Sequence, residues 1–278
     1  MTYDFLTGSI LAVGVSAFAY KRGSLSLSGF VSAVVTGTII FSIGGLSWAV
    51  LLITFFFTSS ALSHYKENVK EALAEKFQKG NRRDIGQVIA NGGWGAVIAL
   101  VFAFYPEPVL FAAFVGTVAS VNADTWATEL GVLSSAAPRL ITSGRVAAVG
   151  TSGAITLFGT FAAFCGAFLI GIVAFASVLT AKLIFSTDVF DSPASLILIA
   201  TVSGLSGSLF DSVLGATVQG IYYCDFDQKE TESDFHRCGH ATRLIRGWRW
   251  LDNDLVNFIA SVFASIAATG IYWLMKLY

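Results

Sequence analysis

Long apolar stretches broken by short polar turns dominate this chain. Runs of the length a bilayer crossing needs, about 20 residues, fall near 3–19, 27–43, 46–62, 88–105, 108–130, 150–180, 195–221 and 254–276. The pattern predicts an all-α, polytopic transmembrane bundle of about eight spans, with seven to nine compatible with the same runs. The first run has Asp4 and no basic residue ahead of it, so it reads as a retained helix rather than a cleaved leader. Between 64 and 79 the spacing changes. Tyr65, Val69, Leu73 and Phe77 form one helical stripe among Lys and Glu, which predicts an amphipathic helix within a 64–86 segment at the membrane surface. A second polar segment, 223–252, reads as a loop. There is no internal repeat, no low-complexity tract and no second domain, so 1–278 is one membrane domain.

Charge orients the bundle. With the N-terminus outside, all but Lys182 and Lys276 of the 17 basic residues fall on one side, and basic loops mark the cytoplasmic face. Composition agrees with the span count: 55% of residues are apolar, 13% are charged and mean hydropathy is +0.71. A net charge of −1 gives no reason to expect a nucleic-acid partner. The three cysteines make no paired framework. Cys224, His236, Cys238 and His240 are possible zinc ligands, but their spacing matches no familiar finger, and a solvated loop is the preferred reading. The acidic 225–234 run also reads as solvated. Arg243, Arg246 and Arg249 with Trp248 and Trp250 read first as an interfacial anchor.

Polar groups inside the spans carry the candidate chemistry, because ionisable residues there are costly. Asn122-Ala123-Asp124-Thr125-Trp126-Ala127-Thr128-Glu129 ends the fifth span, and Ser206-Gly207-Ser208-Leu209-Phe210-Asp211-Ser212 lies late in the seventh. Counted from the outer ends of their spans, Asp124 and Asp211 lie about 22–24 Å deep, at one level near the cytoplasmic face. Asn91 in the fourth span, Ser24 and Ser28 at the second, and Asp252-Asn253-Asp254 with Asn257 at the eighth approach the same level. An acid and amide cluster of this kind suits a hard cation such as Mg²⁺, with Asp124, Glu129, Asp211 and Asp254 as candidate ligands. Gly150-Thr151-Ser152-Gly153, placed at the start of the sixth span, makes a candidate phosphate site. Lys21, Arg22, Arg139 and Arg145 lie nearby, with Ser208, Ser212, Asn253 and Asn257 as further phosphate-side groups. Acids for a cation, bases for phosphate and an apolar bundle for a tail fit phosphoryl transfer to a lipid phosphate. There is no Walker or protein-kinase signature.

These motifs resemble the transmembrane protein 19 family of integral membrane proteins. The resemblance rests on the Asn122–Glu129 motif, Pro138-Arg139-Leu140-Ile141-Thr142, Gly150-Thr151-x-Gly153, Asp252-Asn253-Asp254-x-x-Asn257 and the Lys21-Arg22-Gly23-Ser24-Leu25…Ser28-Gly29 opening. It runs over nearly the whole chain. One branch of that family is the plant plastid phytyl-phosphate kinase of tocopherol biosynthesis. The resemblance therefore implies a Mg²⁺-dependent kinase making a prenyl diphosphate from phytyl or a similar isoprenyl monophosphate. The neighbouring polyprenol kinases use CTP, which favours CTP over ATP. Asp124 and Glu129 become the leading catalytic and metal-handling acids, with Asn91 and Asn122 as polar supports. Asp211 stands where many relatives are expected to carry glutamate. The expected partners are an isoprenyl monophosphate, a nucleotide and membrane lipids. The active site would face the cytoplasm, or the stroma in a photosynthetic membrane. An ion-coupled transporter or lipid carrier is the alternative; its sites tend to lie at mid-membrane between inverted repeats.

Overall fold

The structure is a computed structural model that describes residues 5–66, 82–185, 190, 192–236 and 238–277. Most of the 64–79 stripe lies outside the described residues. Seven helices account for most of the rest: α1 (Phe5–Lys21), α2 (Leu27–His64), α3 (Ile85–Phe104), α4 (Pro108–Gly131), α5 (Leu157–Phe185), α6 (Ser195–Thr217) and α7 (Asn253–Lys276). Six are long and apolar enough to cross a membrane, and α1 is a shorter apolar helix of 17 residues.

α2 covers two of the runs read separately in the sequence, and it is broken at Gly45, whose φ of 74° and ψ of −161° are not helical. That left-handed φ suits a residue without Cβ. The break turns the chain back on itself. Ala12 packs on Gly37 and Phe18 lies 5.8 Å from Phe57. In a straight helix residues 37 and 57 would lie about 30 Å apart, whereas 12 and 18 are only about 9 Å apart along α1. Both contacts are possible only if the two halves of α2 run antiparallel.

α4 is the centre of the bundle and packs against α2, α3, α5, α6 and α7. Every residue from Phe111 to Ala123 is buried, so this helix has no lipid-facing side. Its neighbours approach closely because the contact residues are small, the usual solution where lipid removes any hydrophobic drive between helices. A Cβ at Gly204 of α6 would lie 2.8 Å from the Cβ atoms of Ala119 and Ala167, on α4 and α5. Larger side chains fill the far end, where Trp48 stacks on Phe114 at 4.3 Å beside Phe102 and Phe111. The outward faces are apolar instead of charged, with Phe5, Phe104, Leu157 and Ile266 all largely exposed.

Among the described residues, strands appear only at the end of the bundle where α4 and α6 finish and α5 and α7 begin. A two-residue antiparallel pair joins β1 (Arg139–Leu140) to β2 (Ala154–Ile155). The segment read as a 223–252 loop holds most of a three-stranded sheet in the order β4-β3-β5, with β3 (Ile221–Cys224), β4 (Lys229–Thr231) and β5 (Arg243–Arg246). The sixth run also begins later than its hydropathy suggests. Gly150 and Gly153 both have φ of 77°, the chain passes through β2, and α5 starts at Leu157 behind Thr156, whose Oγ1 accepts from the Gly159 N–H at 3.0 Å. Gly150–Gly153 is therefore a turn ahead of a strand, not a helix N-terminus.

Small-residue packing around α4 gives a direct test. Gly204→Ala is expected to destabilise the protein by about 1–3 kcal/mol through overpacking. Gly14→Ala, where a Cβ meets nothing within 4 Å, should be neutral or slightly stabilising, because alanine is the better helix former. Thermal unfolding of the two variants in detergent separates them.

Candidate functional site

One cavity of about 570 Å³ opens at the strand-bearing end of the bundle. All helices except α1 contribute to its wall, as do the turn at 149–156 and the sheet segment. Of the residues singled out from the sequence, Asn91, Asp124, Glu129, Gly150, Thr151, Ser152, Gly153, Ser208, Asp211, Ser212, Asn253, Asp254 and Asn257 line it together. Lys21, Arg22, Arg139 and Arg145 do not. They are exposed: the Arg22 guanidinium lies over the Phe18 ring at 5.4 Å, and Arg139 Nη1 donates to the Gly144 carbonyl at 2.8 Å. These arginines belong to surface turns, where a basic residue serves topology without facing a ligand.

Asp124 and Asp211 come from the ends of α4 and α6, which cross as packed neighbours. Ser208, one turn before Asp211, donates to Asp124 Oδ1 at 3.4 Å, while Asp211 Oδ2 is buried without a hydrogen-bond partner. Glu129 lies further along α4 and accepts from Ser63 Oγ at 2.6 Å, which ties it to the end of α2. Asn122 has a different task. Fully buried, it accepts from Thr58 Oγ1 at 3.0 Å and donates to the Gly166 carbonyl at 2.8 Å, cross-linking α2, α4 and α5 below the cavity floor. Removing that side chain would leave buried polar groups unpaired, which costs more than the bond itself contributes.

Two charged residues of the cavity were not picked out from the sequence as site groups. Arg83 precedes α3 and is held by its own backbone, which donates to the Ser24 carbonyl and accepts from the Ser26 N–H, both at 3.0 Å. Its side chain lies 5.4 Å over both Phe55 and Phe56. Burial pulls its pKa down to about 10, opposed by the charge of Glu129, so it stays a cation at neutral pH. Glu232, just after β4, comes from the acidic run read as solvated. Pairing of β4 with β3 carries it inward instead, where Gln219 Nε2 donates to its carboxylate at 2.9 Å and Ser152 Oγ donates to Gln219 Oε1 at 2.7 Å. Burial raises the Glu232 pKa to about 7; the Gln219 hydrogen bond opposes that shift, and Asp254 and Asp252 add to it. Asp252 itself caps α7 by accepting from the Leu255 N–H at 2.9 Å. Arg246 is not only an interfacial anchor: its Nη2 donates to the Gly215 carbonyl at 2.9 Å and fastens β5 to the end of α6.

Among the described residues, the cavity wall thus holds five carboxylates (Asp124, Glu129, Asp211, Glu232 and Asp254) and one arginine, Arg83. The donors are all oxygens, as a hard cation requires, and the unpartnered Asp211 Oδ2 offers a ready ligand atom. They surround the cavity without closing into a cage. Among the described residues, the one group of three or more His, Cys, Asp and Glu ligand atoms within 4.8 Å of one another lies elsewhere.

A family model described as "Integral membrane protein DUF92" matches residues 10–265. The chain belongs to this family. Similar proteins include Protein PGR of Arabidopsis thaliana, 33% identical over 95% of this chain and 97% of its own length. An uncharacterised membrane protein of Methanocaldococcus jannaschii is 31% identical over 95% and 93% of the two chains. Protein VTE6, chloroplastic, of Arabidopsis thaliana is 25% identical over 88% of this chain and 64% of that one. No solved structure matches. The family assignment agrees with the motif resemblance, and the DUF92 chain is a polytopic helical integral membrane protein.

Glu232 gives this site a testable pH signature. Its folded pKa lies above the ordinary glutamate value, so the folded state holds its proton more tightly than the unfolded one. The resulting stability is fully present below the unfolded pKa and is lost as pH rises through about 7. The melting temperature of the wild type is therefore expected to fall relative to Glu232→Gln between about pH 5 and about pH 8. A constant difference between the two curves would contradict the buried placement of Glu232.

Proposed function

We propose that this protein is a prenyl-phosphate kinase, transferring a phosphoryl group from a nucleoside triphosphate, CTP in preference to ATP, to phytyl or a similar isoprenyl monophosphate. The observation that carries this reading is the wall of five carboxylates and one arginine, among the described residues, around a large cavity at the end of an apolar bundle. Carboxylates alone repel phosphates, so a cation must mediate between them. Mg²⁺ fits because it binds through one or two carboxylates and completes its shell with water and substrate phosphates. Asp124, Asp211 and Asp254 are the residues that would hold it, with Glu129 and Glu232 behind them. When bound, it would neutralise charge on the transferred phosphoryl group.

The chain's own groups account for the rest. A non-bridging oxygen of the monophosphate attacks the γ-phosphorus, the bond to the β–γ bridging oxygen breaks, and the nucleoside diphosphate leaves. A phosphate dianion has no proton to lose, so no general base is required, and none of the cavity acids is assigned that role. Among the described residues Arg83 is the cation in the wall, and it would orient a phosphate. Thr151, Ser152 and Ser212 supply hydroxyls around it. For the tail, an apolar slot of about 80 Å³ between α1, α2 and α3 shares Arg83, Gln87 and Asn91 with the polar cavity. A lipid phosphate at Arg83 could extend its first carbons there and the remainder into the surrounding bilayer. The resemblance to the phytyl-phosphate kinase branch supports the same substrate class. The bias of basic residues in the loops supports a cavity mouth on the cytoplasmic or stromal side.

Purified protein in detergent, given Mg²⁺, γ-labelled CTP or ATP and a panel of prenyl monophosphates, tests this directly. Labelled prenyl diphosphate is expected from the wild type. Asp124→Asn and Asp211→Asn should each lose at least about a hundredfold in rate. Arg83→Ala should lose a comparable factor, whereas Arg139→Ala and Arg145→Ala, outside the cavity, should stay within about threefold. Absence of product for every nucleotide and acceptor, from folded protein, would overturn the kinase reading and favour a transporter.

A further inference from the structure

Outside the acidic cavity, the sheet segment gathers Cys224, Asp227, His236 and Cys238, with one ligand atom from each lying within 4.8 Å of the others. Cys224 ends β3, and Asp227 stands in the β3–β4 turn, where Gln228 takes a φ of 52°. His236 and Cys238 come from a second turn. That turn is closed by the His236 N–H on the His240 carbonyl at 3.0 Å and by the Gly239 N–H, at a φ of 85°, on the His236 carbonyl at 2.9 Å. Cys224 Sγ lies 3.6 Å from Cys238 Sγ, Cys238 Sγ lies 3.2 Å from His236 Nδ1, and His236 Nδ1 lies 2.9 Å from Asp227 Oδ2.

Those separations are close to the edges of a zinc tetrahedron. With Zn–S about 2.3 Å and Zn–N or Zn–O about 2.0 Å, the edges are about 3.8 Å for S···S, 3.5 Å for S···N and 3.3 Å for N···O. A few tenths of an ångström at each contact would admit the ion. Burial favours a closed structural site: Cys224 is fully buried and His236 is 9% exposed, with its Nε2 buried and unpartnered. Two thiols, an imidazole and a carboxylate form a soft, borderline donor set that selects zinc over the hard cations suited to the cavity. His240, the fourth candidate in the sequence, is not part of the cluster; its ring stacks on Phe226 at 4.2 Å.

We propose that Cys224, Asp227, His236 and Cys238 form a structural zinc site that clamps the β3–β4 turn to the 236–240 turn. The clamp closes the segment that holds Glu232 against Gln219 and so fixes one wall of the acidic cavity. Zinc content is read directly, so the outcome does not depend on which reaction the cavity performs.

The test uses untagged full-length protein purified in detergent without chelators, analysed by inductively coupled plasma mass spectrometry. About one zinc per chain is expected for the wild type and for Cys165→Ser, which alters the remaining cysteine in α5; the Cys224→Ser/Cys238→Ser variant should fall below about one tenth. Asp227→Asn, a milder change, should remain monodisperse and take up zinc with at least about tenfold weaker affinity. Chelated wild type refilled with Co²⁺ should show thiolate-to-cobalt charge transfer and the strong d–d bands of a tetrahedral site. The proposal is overturned if folded wild type retains no zinc and takes up no cobalt. It is equally overturned if the double variant keeps its full zinc content, or if fresh protein carries a Cys224–Cys238 disulfide.

Discussion

Carboxylates at one end of an apolar bundle have to be compensated, and the way that is done shapes everything near them. The middle of α4 is buried on every side, and Asp124, just past that stretch, is half-buried in the cavity wall. Among the described residues, five acids converge on the cavity it borders, against one arginine. Hydroxyls and amides take part of the load, through Ser208 on Asp124, Ser63 on Glu129 and Gln219 on Glu232. Hydrogen bonds redistribute charge without cancelling it. The cation proposed above would neutralise what remains, and phosphates are anions that such a cation can bridge.

The scaffold is built to hold that arrangement still. Small residues let α4, α5 and α6 approach closely, and Asn122 locks α2, α4 and α5 together beneath the cavity. On the open side the loops are tied down as well. Arg83 is fixed by backbone bonds to Ser24 and Ser26, and Arg246 joins the sheet to the end of α6. A site made of side chains on rigid helices and pinned turns suits a reaction that depends on placing two phosphates in line.

Much of this was legible in the sequence wherever one helix alone decides the outcome. Hydropathy runs gave the bundle, and counting residues into the fifth and seventh runs put Asp124 and Asp211 at one level, where they line one cavity. The Asn253–Asn257 motif needed only its place at a helix start. What was missed depends on contacts distant in sequence. Glu232 looks solvated until β3 and β4 pair, and nothing in residues 225–234 announces that pairing. Arg83 sits among basic residues that mark topology, and only its bonds to Ser24 and Ser26 turn it inward. The reverse error concerned Arg139 and Arg145, whose nearness in sequence to Gly150–Gly153 does not carry their side chains to the cavity. The break within α2 was visible as two runs, with Gly45 as the residue permitting the reversal.

The claim at the centre of this account is that the acidic cavity binds a divalent cation together with phosphate. Electron paramagnetic resonance of Mn²⁺, used in place of Mg²⁺, measures it without assuming any turnover. Mn²⁺ is expected to bind wild-type protein, more tightly when nucleotide or prenyl monophosphate is present, and to be lost from an Asp124→Asn/Asp211→Asn variant that remains folded and monodisperse. Mn²⁺ that stays free in every mixture, or that binds equally well to the variant, would contradict it.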